Sequence, residues 1–155
     1  HGLLTALIDV PCHGHKRGLY TVGKSYRGNI EGSDPKHSFH CFGGDDTLYV
    51  FEAPIDLLSY ISLHPQNWEA HNYVSCCGVS AIPLMEALRQ LPQVAQVYLC
   101  LDNDEAGHAA CAHMAELLKD QNLSAVRLVP QRKDWNDDLT LGTENAQGLT
   151  MTEMG

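Results

Sequence analysis

Two apolar segments about fifty residues apart each run directly into acidic residues. Residues 48–51 (Leu-Tyr-Val-Phe) precede Glu52, and residues 97–101 (Val-Tyr-Leu-Cys-Leu) precede Asp102 and Asp104. Short apolar runs that contain Val and aromatic residues are typical of strands buried on both faces of a sheet. A carboxylate that follows such a strand lies where open α/β sheets bind their ligands. The two segments therefore predict a shared acidic edge, which we define by Glu52, Asp102 and Asp104.

Strand and helix patterns alternate four times from Thr47 onward. The predicted strands cover 48–51, 72–76, 95–101 and 125–129, and the predicted helices cover 54–64, 80–91, 104–121 and 136–141, with Ser80 as an N-cap. Such alternation indicates parallel βαβ units with right-handed crossovers. We therefore predict an α/β, Rossmann-like fold with a central four-stranded, mainly parallel sheet flanked by helices. The carboxyl ends of parallel strands share one edge, so residues distant in sequence become neighbours there.

The 155 residues suit one main domain with an appended segment. We predict a β-rich N-terminal lead-in at 1–45, the main domain at 46–141 and a flexible tail at 142–155. Within the lead-in, strand patterns occur at 3–10, 18–23 and, as an edge strand, 37–42, and loop residues occur at 27–29 and 32–35. The chain begins with His1, so we expect a fragment or a processed chain. No apolar run approaches the ~20 residues of a membrane span, and we expect a cytoplasmic protein without membrane contacts.

Charge and cysteine content narrow the function classes. The net charge of −9 argues against simple electrostatic capture of nucleic acid. Residues 1–45 contain five Lys/Arg and four Asp/Glu, whereas 46–155 contain five and fifteen. Acids clustered at strand ends favour a bound divalent cation. The six cysteines form no Cys-x-x-Cys pair, and we expect them to be reduced and mostly buried; a zinc half-site at 12–15 is the disfavoured alternative.

Three carboxylates from two strand ends form an all-oxygen donor set. Mg²⁺ prefers oxygen ligands, keeps several waters and usually takes one or two carboxylates together with substrate phosphates. Such a site suits phosphoryl or nucleotidyl transfer. Glu52 could ligate the ion or act as a general acid/base. In the alternative interpretation, Asp102 and Asp104 only cap the following helix.

Four motifs together resemble the Toprim domain, the nucleotidyl-transfer and strand-cleavage module shared by topoisomerases, bacterial primases and some nucleases. They are Glu52 after its strand, Gly78 after the next strand, residues 101–107 (Leu-Asp-Asn-Asp-Glu-Ala-Gly) and residues 133–139 (Lys-Asp-Trp-Asn-Asp-Asp-Leu). Asp-x-Asp followed by Ala-Gly is similar to the primase branch. Residues 133–139 and the lead-in over 18–60 resemble the Toprim-like proteins of plasmids and conjugative elements. The resemblance covers roughly 18–140.

This resemblance implies a Mg²⁺-dependent catalytic core in which Mn²⁺ could substitute. Glu52 would be the general acid/base, Asp102 and Asp104 metal ligands, and Asp134 or Asp138 the acid that completes the site. Asp56, Gly78 and Gly107 would support it. The alternatives are that Asp56 only caps the helix after Glu52 and that Gly78 is only a turn residue. The residues that could contact phosphate or nucleic acid are Lys133, Arg27, Lys24, Lys16 and Arg17. Trp135 is expected to pack under its loop, with stacking on a base as the alternative.

The chain also departs from the family pattern. It contains no zinc-ribbon spacing, no room for a separate polymerase subdomain and no tyrosine placed to act as a topoisomerase nucleophile. The implied partners are therefore single-stranded DNA, nucleotides and missing domains of a parent protein, namely a zinc ribbon and helicase or relaxase machinery. We expect a primase-like nucleotidyl-transfer domain of a mobile-element replication or transfer protein. The alternatives are a metal-dependent nuclease, a non-catalytic metal- or partner-binding module and, more distantly, a glycosyltransferase.

Overall fold

The computed structural model describes residues 34–142 and, before them, the backbone of three strands. These are β1 (Ala6–Val10), β2 (Gly18–Val22) and β3 (Arg27–Asn29), which form an antiparallel sheet in the order β1-β2-β3. The loop prediction for 27–29 is wrong, because this segment pairs with Tyr20–Val22. Strand pairing uses backbone groups. Gly28 and Asn29 can therefore pair with β2, although both residue types are uncommon in strands. The predicted flexible tail lies outside the described residues, apart from Gly142.

The main sheet has five strands in the order β4-β6-β5-β7-β8. The strands are β4 (His40–Phe42), β5 (Thr47–Phe51), β6 (Asn72–Ser75), β7 (Gln96–Leu99) and β8 (Ser124–Arg127). Strands β5 to β8 pair in parallel, whereas β4 is antiparallel to β6 at one edge. The α/β fold and its mainly parallel sheet are confirmed. The fifth strand comes from the segment that was predicted to be an edge strand.

Three helices connect the parallel strands, and a fourth helical segment follows β8. They are α1 (Pro54–Leu63), α2 (Ile82–Gln90), α3 (Glu105–Asp120) and residues 135–142. The predicted N-cap of α2 is off by one residue, because Ala81 occupies that position. The Ser80 hydroxyl still accepts a hydrogen bond from the Ile82 N–H at 3.3 Å, as serine does in local turns before helices. No helix in the described part of the chain has both the length and the apolar character to cross a membrane.

The sheet separates two hydrophobic clusters. Side chains alternate along β5, so Leu48 and Val50 face one cluster whereas Phe51 faces the other, and all three are fully buried. The first cluster packs under α2 and α3, and the second packs under α1 and Trp135. Burial on both faces confirms the interpretation of these apolar segments as central strands. The five described cysteines are free, and Cys76, Cys100 and Cys111 are buried.

Candidate active site

The sheet topology brings the predicted acidic residues to one edge. Strands β5 and β7 are parallel neighbours, with Val50 opposite Leu99, so Glu52 and Asp102 follow adjacent strand ends. The Gly78 N–H donates to the Glu52 carbonyl at 2.9 Å, which places the end of β6 at the same edge. The loop after β8 joins them through the Asn103 N–H, which donates to the Lys133 carbonyl at 2.7 Å. Four segments that are far apart in sequence therefore meet at the acidic edge.

Asp102 lies among several negative charges. Its carboxyl pKa is raised to about 7, chiefly by burial and then by the charges of Glu52, Asp56, Asp134 and Asp104, in that order of effect. Like charges in a partly buried site disfavour ionisation of each other. The carboxyl groups of Asp102 and its four acidic neighbours are thus close enough to interact electrostatically. A cation at this edge would relieve their repulsion.

Glu52 experiences opposing influences. Burial, followed by the charge of Asp104, raises the pKa of the Glu52 carboxyl group. A hydrogen bond from the Asp102 backbone and the positive charges of Lys133 and Arg127 oppose this shift. A half-buried carboxyl group with a raised pKa is better suited than an exposed one to accepting and returning a proton. This environment is compatible with the general acid/base role predicted for Glu52.

Two carboxylate oxygens at the acidic edge are buried without a hydrogen-bond partner among the described residues. They are Glu52 Oε2 and Asp102 Oδ1. A buried oxygen left in this state costs about 1–3 kcal/mol, and an ionised one costs more. Within residues 34–142, no three His, Cys, Asp or Glu side chains are arranged to hold one ion together. The orphaned Asp102 oxygen therefore fits an ion that is held by few carboxylates and completed by water or phosphate, which is common for Mg²⁺. The orphaned Glu52 oxygen is left to accept a proton.

Two of the predicted metal ligands also cap helices. Asp104 is the N-cap of α3, and its Oδ1 accepts a hydrogen bond from the Gly107 N–H at 2.8 Å. Asp134 precedes the helix at 135–142, and its Oδ1 accepts from the Asp137 N–H at 2.7 Å. Both bonds satisfy helix N–H groups that have no partner within the helix. Asp104 and Asp134 thus each cap a helix and also lie close enough to Asp102 to raise its pKa.

Asp138 and Asp56 hold the loop that closes the site. Both Asp138 oxygens accept backbone bonds of 2.8 Å, from the N–H groups of Gln131 and Arg132. Asp56 is 2 % exposed, and its Oδ1 accepts from the Asn136 N–H at 3.1 Å. The structure therefore places Asp56 in a supporting position beside the acidic edge. Both carboxylate oxygens of Asp138 are hydrogen-bonded to the turn at 131–132, and metal ligation by Asp138 stays a prediction.

The glycines of the motifs have different structural roles. A Cβ atom on Gly107 would lie 2.1 Å from the Asp102 carbonyl oxygen, so only glycine allows α3 to begin this close to the strand end. Gly78 has a φ of +136°, a backbone conformation that favours glycine. Gly107 therefore supports the acidic edge through packing, whereas Gly78 supports it through the turn after β6.

The remaining predicted residues lie around this edge or beyond the description. Trp135 is 7 % exposed and its Nε1 donates to the Cys100 carbonyl at 2.8 Å, which confirms that it packs under the loop. Lys133 is exposed beside the acids. The side chain of Arg27 is not described, and three basic residues lie outside the described residues, namely Lys16, Arg17 and Lys24.

The sequence model of the family described as Toprim-like matches residues 49–139, which is more than half of the chain. The chain belongs to the Toprim-like family. The matched region begins within β5 and ends within the helix at 135–142, so it contains the whole acidic edge. The resemblance seen in the sequence motifs is thereby confirmed.

Curated relatives of this Toprim-like domain occur in Mycoplasma pneumoniae and Bacillus anthracis. An uncharacterized MG010 homolog of Mycoplasma pneumoniae is 30% identical over 102 residues, covering 64% of this chain and 46% of the relative. An uncharacterized protein of Bacillus anthracis, pXO2-78, is 29% identical over 140 residues, covering 80% of this chain and 39% of the relative. The chain thus spans less than half the length of these curated relatives.

Two solved structures share the fold of the Toprim-like domain. The primase fragment of the bacteriophage T7 primase-helicase protein superposes with a TM-score of 0.60 and 22% identity, covering 83% of this chain and 54% of that one. A chain from the structure of the T7 lagging-strand DNA polymerase with primase domains of gp4 gives a TM-score of 0.67 and 22% identity, covering 93% and 74%. At this identity the likeness shows a common fold.

Arg127 contacts the backbone of the acidic edge of the Toprim-like domain, although no motif in the sequence predicted this role. Arg127 ends β8, and its guanidinium donates to the carbonyls of Leu101 at 2.7 Å and Asp102 at 2.8 Å. The available signal was a charged residue within an otherwise apolar predicted strand. Because exposed strand faces often carry such residues, this signal alone does not identify a contact.

Proposed function

We propose that this Toprim-like domain is a Mg²⁺-dependent, primase-like nucleotidyl-transfer domain. It would act in the cytoplasm as part of a larger mobile-element DNA replication or transfer protein. The observation that carries the proposal is the pair of orphaned buried oxygens, Glu52 Oε2 and Asp102 Oδ1, at one sheet edge. Family membership and the shared fold of the T7 primase fragment support it.

In this proposal the three carboxylates of the acidic edge have different roles. Asp102 and Asp104 would hold the ion, which when bound neutralises phosphate charge and stabilises the leaving oxygen. Glu52 Oε2 would accept the proton of an attacking nucleotide hydroxyl. The hydroxyl oxygen would then bond to the α-phosphorus of a nucleoside triphosphate, and pyrophosphate would leave. The exposed ammonium group of Lys133 would meet phosphate at the rim of the site.

The length of the relatives supports the proposal of a larger protein. Because the chain spans less than half of them, further segments would supply surfaces for single-stranded DNA and nucleotides. By resemblance these segments would include a zinc ribbon and helicase or relaxase machinery. Lys16, Arg17, Lys24 and Arg27 would add a minor basic contribution.

A non-catalytic module is the second candidate, because no three potential ligands converge within residues 34–142. A nuclease would use the same acidic edge with water as the attacking group. Labelled single-stranded DNA incubated with Mn²⁺ and nucleoside triphosphates distinguishes these activities. New strands that require the triphosphates indicate a primase, shortening indicates a nuclease, and no change favours the non-catalytic module.

The metal site is tested by calorimetric titration of Mn²⁺ into the 155-residue chain. We expect the parent to bind and an Asp102→Asn/Asp104→Asn variant to lose binding. Asparagine at 104 is an equally good N-cap, so α3 should keep its first turn. Asp45→Asn is the matched control, because Asp45 precedes β5 at the opposite end of the strand. Equal Mn²⁺ affinity in the parent and the double variant would contradict the assignment of Asp102 and Asp104.

A further inference from the structure

The hydrogen-bond ladder between β7 and β8 ends just before the acidic edge. Leu99 opposite Arg127 is the final residue pair, and the Leu128 N–H donates to the Leu99 carbonyl at 3.0 Å. The chain then leaves the ladder and continues through Leu101 to Asp102. A segment that leaves a sheet in this way needs other partners for its buried carbonyl groups. The contacts that follow come from a side chain instead of a strand.

The guanidinium of Arg127 supplies these contacts. One terminal nitrogen donates to the Leu101 carbonyl at 2.7 Å, and it also lies 3.1 Å from the Leu128 carbonyl and 3.2 Å from the Leu99 carbonyl. The other terminal nitrogen donates to the Asp102 carbonyl at 2.8 Å. A planar fork with fixed donor directions can bridge carbonyls on both sides of the gap. Arg127 therefore continues the attachment of the 101–102 backbone to β8 after the ladder has stopped.

The charge of Arg127 also acts on the acidic edge. None of the ion pairs found among residues 34–142 includes Arg127. Its Nε is buried without a partner in the same part of the chain. Its positive charge is felt at Glu52, where it favours the carboxylate form. The arginine thus binds the backbone of residues 101–102, and it donates no hydrogen bond to the orphaned oxygens of Glu52 and Asp102.

We propose that Arg127 is a positioning residue that fixes the backbone of 101–102 and so directs the Asp102 carboxylate into a shared site with Glu52. This inference rests on the proposed function, because it assigns the site a metal-binding task. Removing Arg127 should loosen the strand end and weaken cation binding, although the arginine itself binds no cation. Residues that orient metal ligands typically contribute about 10–100-fold to metal affinity.

The test uses Arg127→Lys, which keeps the charge but replaces the fork by a single ammonium group. Arg127→Met removes both features. Arg89→Lys is the matched control, since Arg89 is exposed and its hydrogen bonds go to Glu86 on α2. Two quantities are measured in the 155-residue chain, namely hydrogen exchange of the Asn103 amide and the Mn²⁺ dissociation constant. The Cys76 amide, which donates to the Phe51 carbonyl at 2.8 Å, serves as the exchange reference.

We expect Arg127→Lys to accelerate Asn103 exchange several-fold without changing Cys76 exchange. We also expect it to weaken Mn²⁺ binding by about 10-fold or more, with a larger loss in Arg127→Met. Arg89→Lys should match the parent in both measurements. Parent-like Asn103 exchange in both Arg127 variants would overturn the proposal, as would unchanged Mn²⁺ affinity in a variant that exchanges faster.

The proposed function fails in a different way. If the parent itself binds no Mn²⁺, the metal assignment of the acidic edge is wrong, whatever the variants do. The Asn103 exchange then decides whether Arg127 holds the 101–102 backbone. If the parent binds Mn²⁺ and Arg127→Lys binds it with the same affinity, the proposed function stands and the positioning role is rejected.

Discussion

Carboxylates at the two ends of the parallel strands, which form opposite edges of the main sheet, differ in their hydrogen-bond partners. At the amino-terminal edge, where β5 and β6 begin, Asp45 Oδ2 lies 2.6 Å from His71 Nδ1. Its Oδ1 accepts hydrogen bonds from the Thr47 N–H at 3.0 Å and from Asn72 Nδ2 at 3.3 Å. At the acidic edge, Glu52 and Asp102 each keep one buried oxygen without a partner in the described part of the chain. The same residue types thus serve two purposes within a few residues of the same strands.

This difference separates a stabilising edge from an edge suited to chemistry. The Asn72 side chain is fully buried at the amino-terminal edge, and it bonds the Gly44 N–H and the carbonyls of Asp45 and Thr47. Buried polar groups with all partners in place hold one structure rigidly. Acids that crowd without partners cost stability, and binding a cation or moving a proton can recover that cost.

The largest effect should come from Glu52→Gln at the acidic edge. Removing a general acid/base typically costs about 100- to 10,000-fold in rate. We expect a loss of this size in triphosphate-dependent strand synthesis on single-stranded DNA. Asp45→Asn at the opposite edge should leave the rate near that of the parent. If both variants were equally impaired, the contrast between the edges would not be a functional one.

A smaller but clear effect on stability is expected from Gly107→Ala. The added Cβ would meet the Asp102 carbonyl oxygen, so α3 or the strand end must shift. Overpacking of this kind typically lowers the free energy of unfolding by about 1–3 kcal/mol. Urea denaturation measures the change.

Gly142→Ala is the control for this prediction, because a Cβ at position 142 would meet no other part of the described chain within 4 Å beyond its own helix and chain neighbours. We expect this variant to unfold within about 0.5 kcal/mol of the parent. Equal stability of the two variants would mean that the contact between Gly107 and the strand end is looser than the structure indicates.

The smallest effects should have opposite signs at the two edges. In the presence of a chelator at pH 8, Asp102→Asn should raise the free energy of unfolding by roughly 1–2 kcal/mol, after allowance for solvent screening, since it removes a crowded charge. Asp45→Asn should lower it by about 1 kcal/mol, since it weakens hydrogen bonds to a charged acceptor. Urea denaturation of both variants beside the parent provides the comparison.

The pH dependence of the free energy of unfolding tests the Asp102→Asn prediction further. Asp102 has a pKa of about 7 in the folded chain against an ordinary 3.8, so between these pH values the folded state holds a proton that the unfolded state has released. Stability therefore falls as pH rises through this window. The advantage of Asp102→Asn should be complete above pH 7 and absent below about pH 4. An advantage of the same size at pH 4 and pH 8 would show that it does not arise from ionisation.

Much of the fold could be predicted because local patterns and topology rules agree. Apolar runs predicted β5 and β7, and their alternation with helices predicted parallel pairing. Parallel pairing in turn predicted that Glu52 and Asp102 lie at a common edge. The short strand β3 was missed, since three residues carry too little pattern. The N-cap of α2 was misplaced by one residue, as helix boundaries commonly are.

The amino-acid sequence was sufficient to predict the α/β class, the parallel orientation of the main strands and the placement of Glu52 and Asp102 at one edge, but not the order of the strands. Which carboxylates have hydrogen-bond partners is visible only in the folded chain. Asp56 is bonded by Asn136, eighty residues later, and the Asp102 backbone is bonded by Arg127 on a separate strand. Hydrogen-bond partners across such separations follow from packing, which depends on every element at once and leaves no periodic signal in the chain.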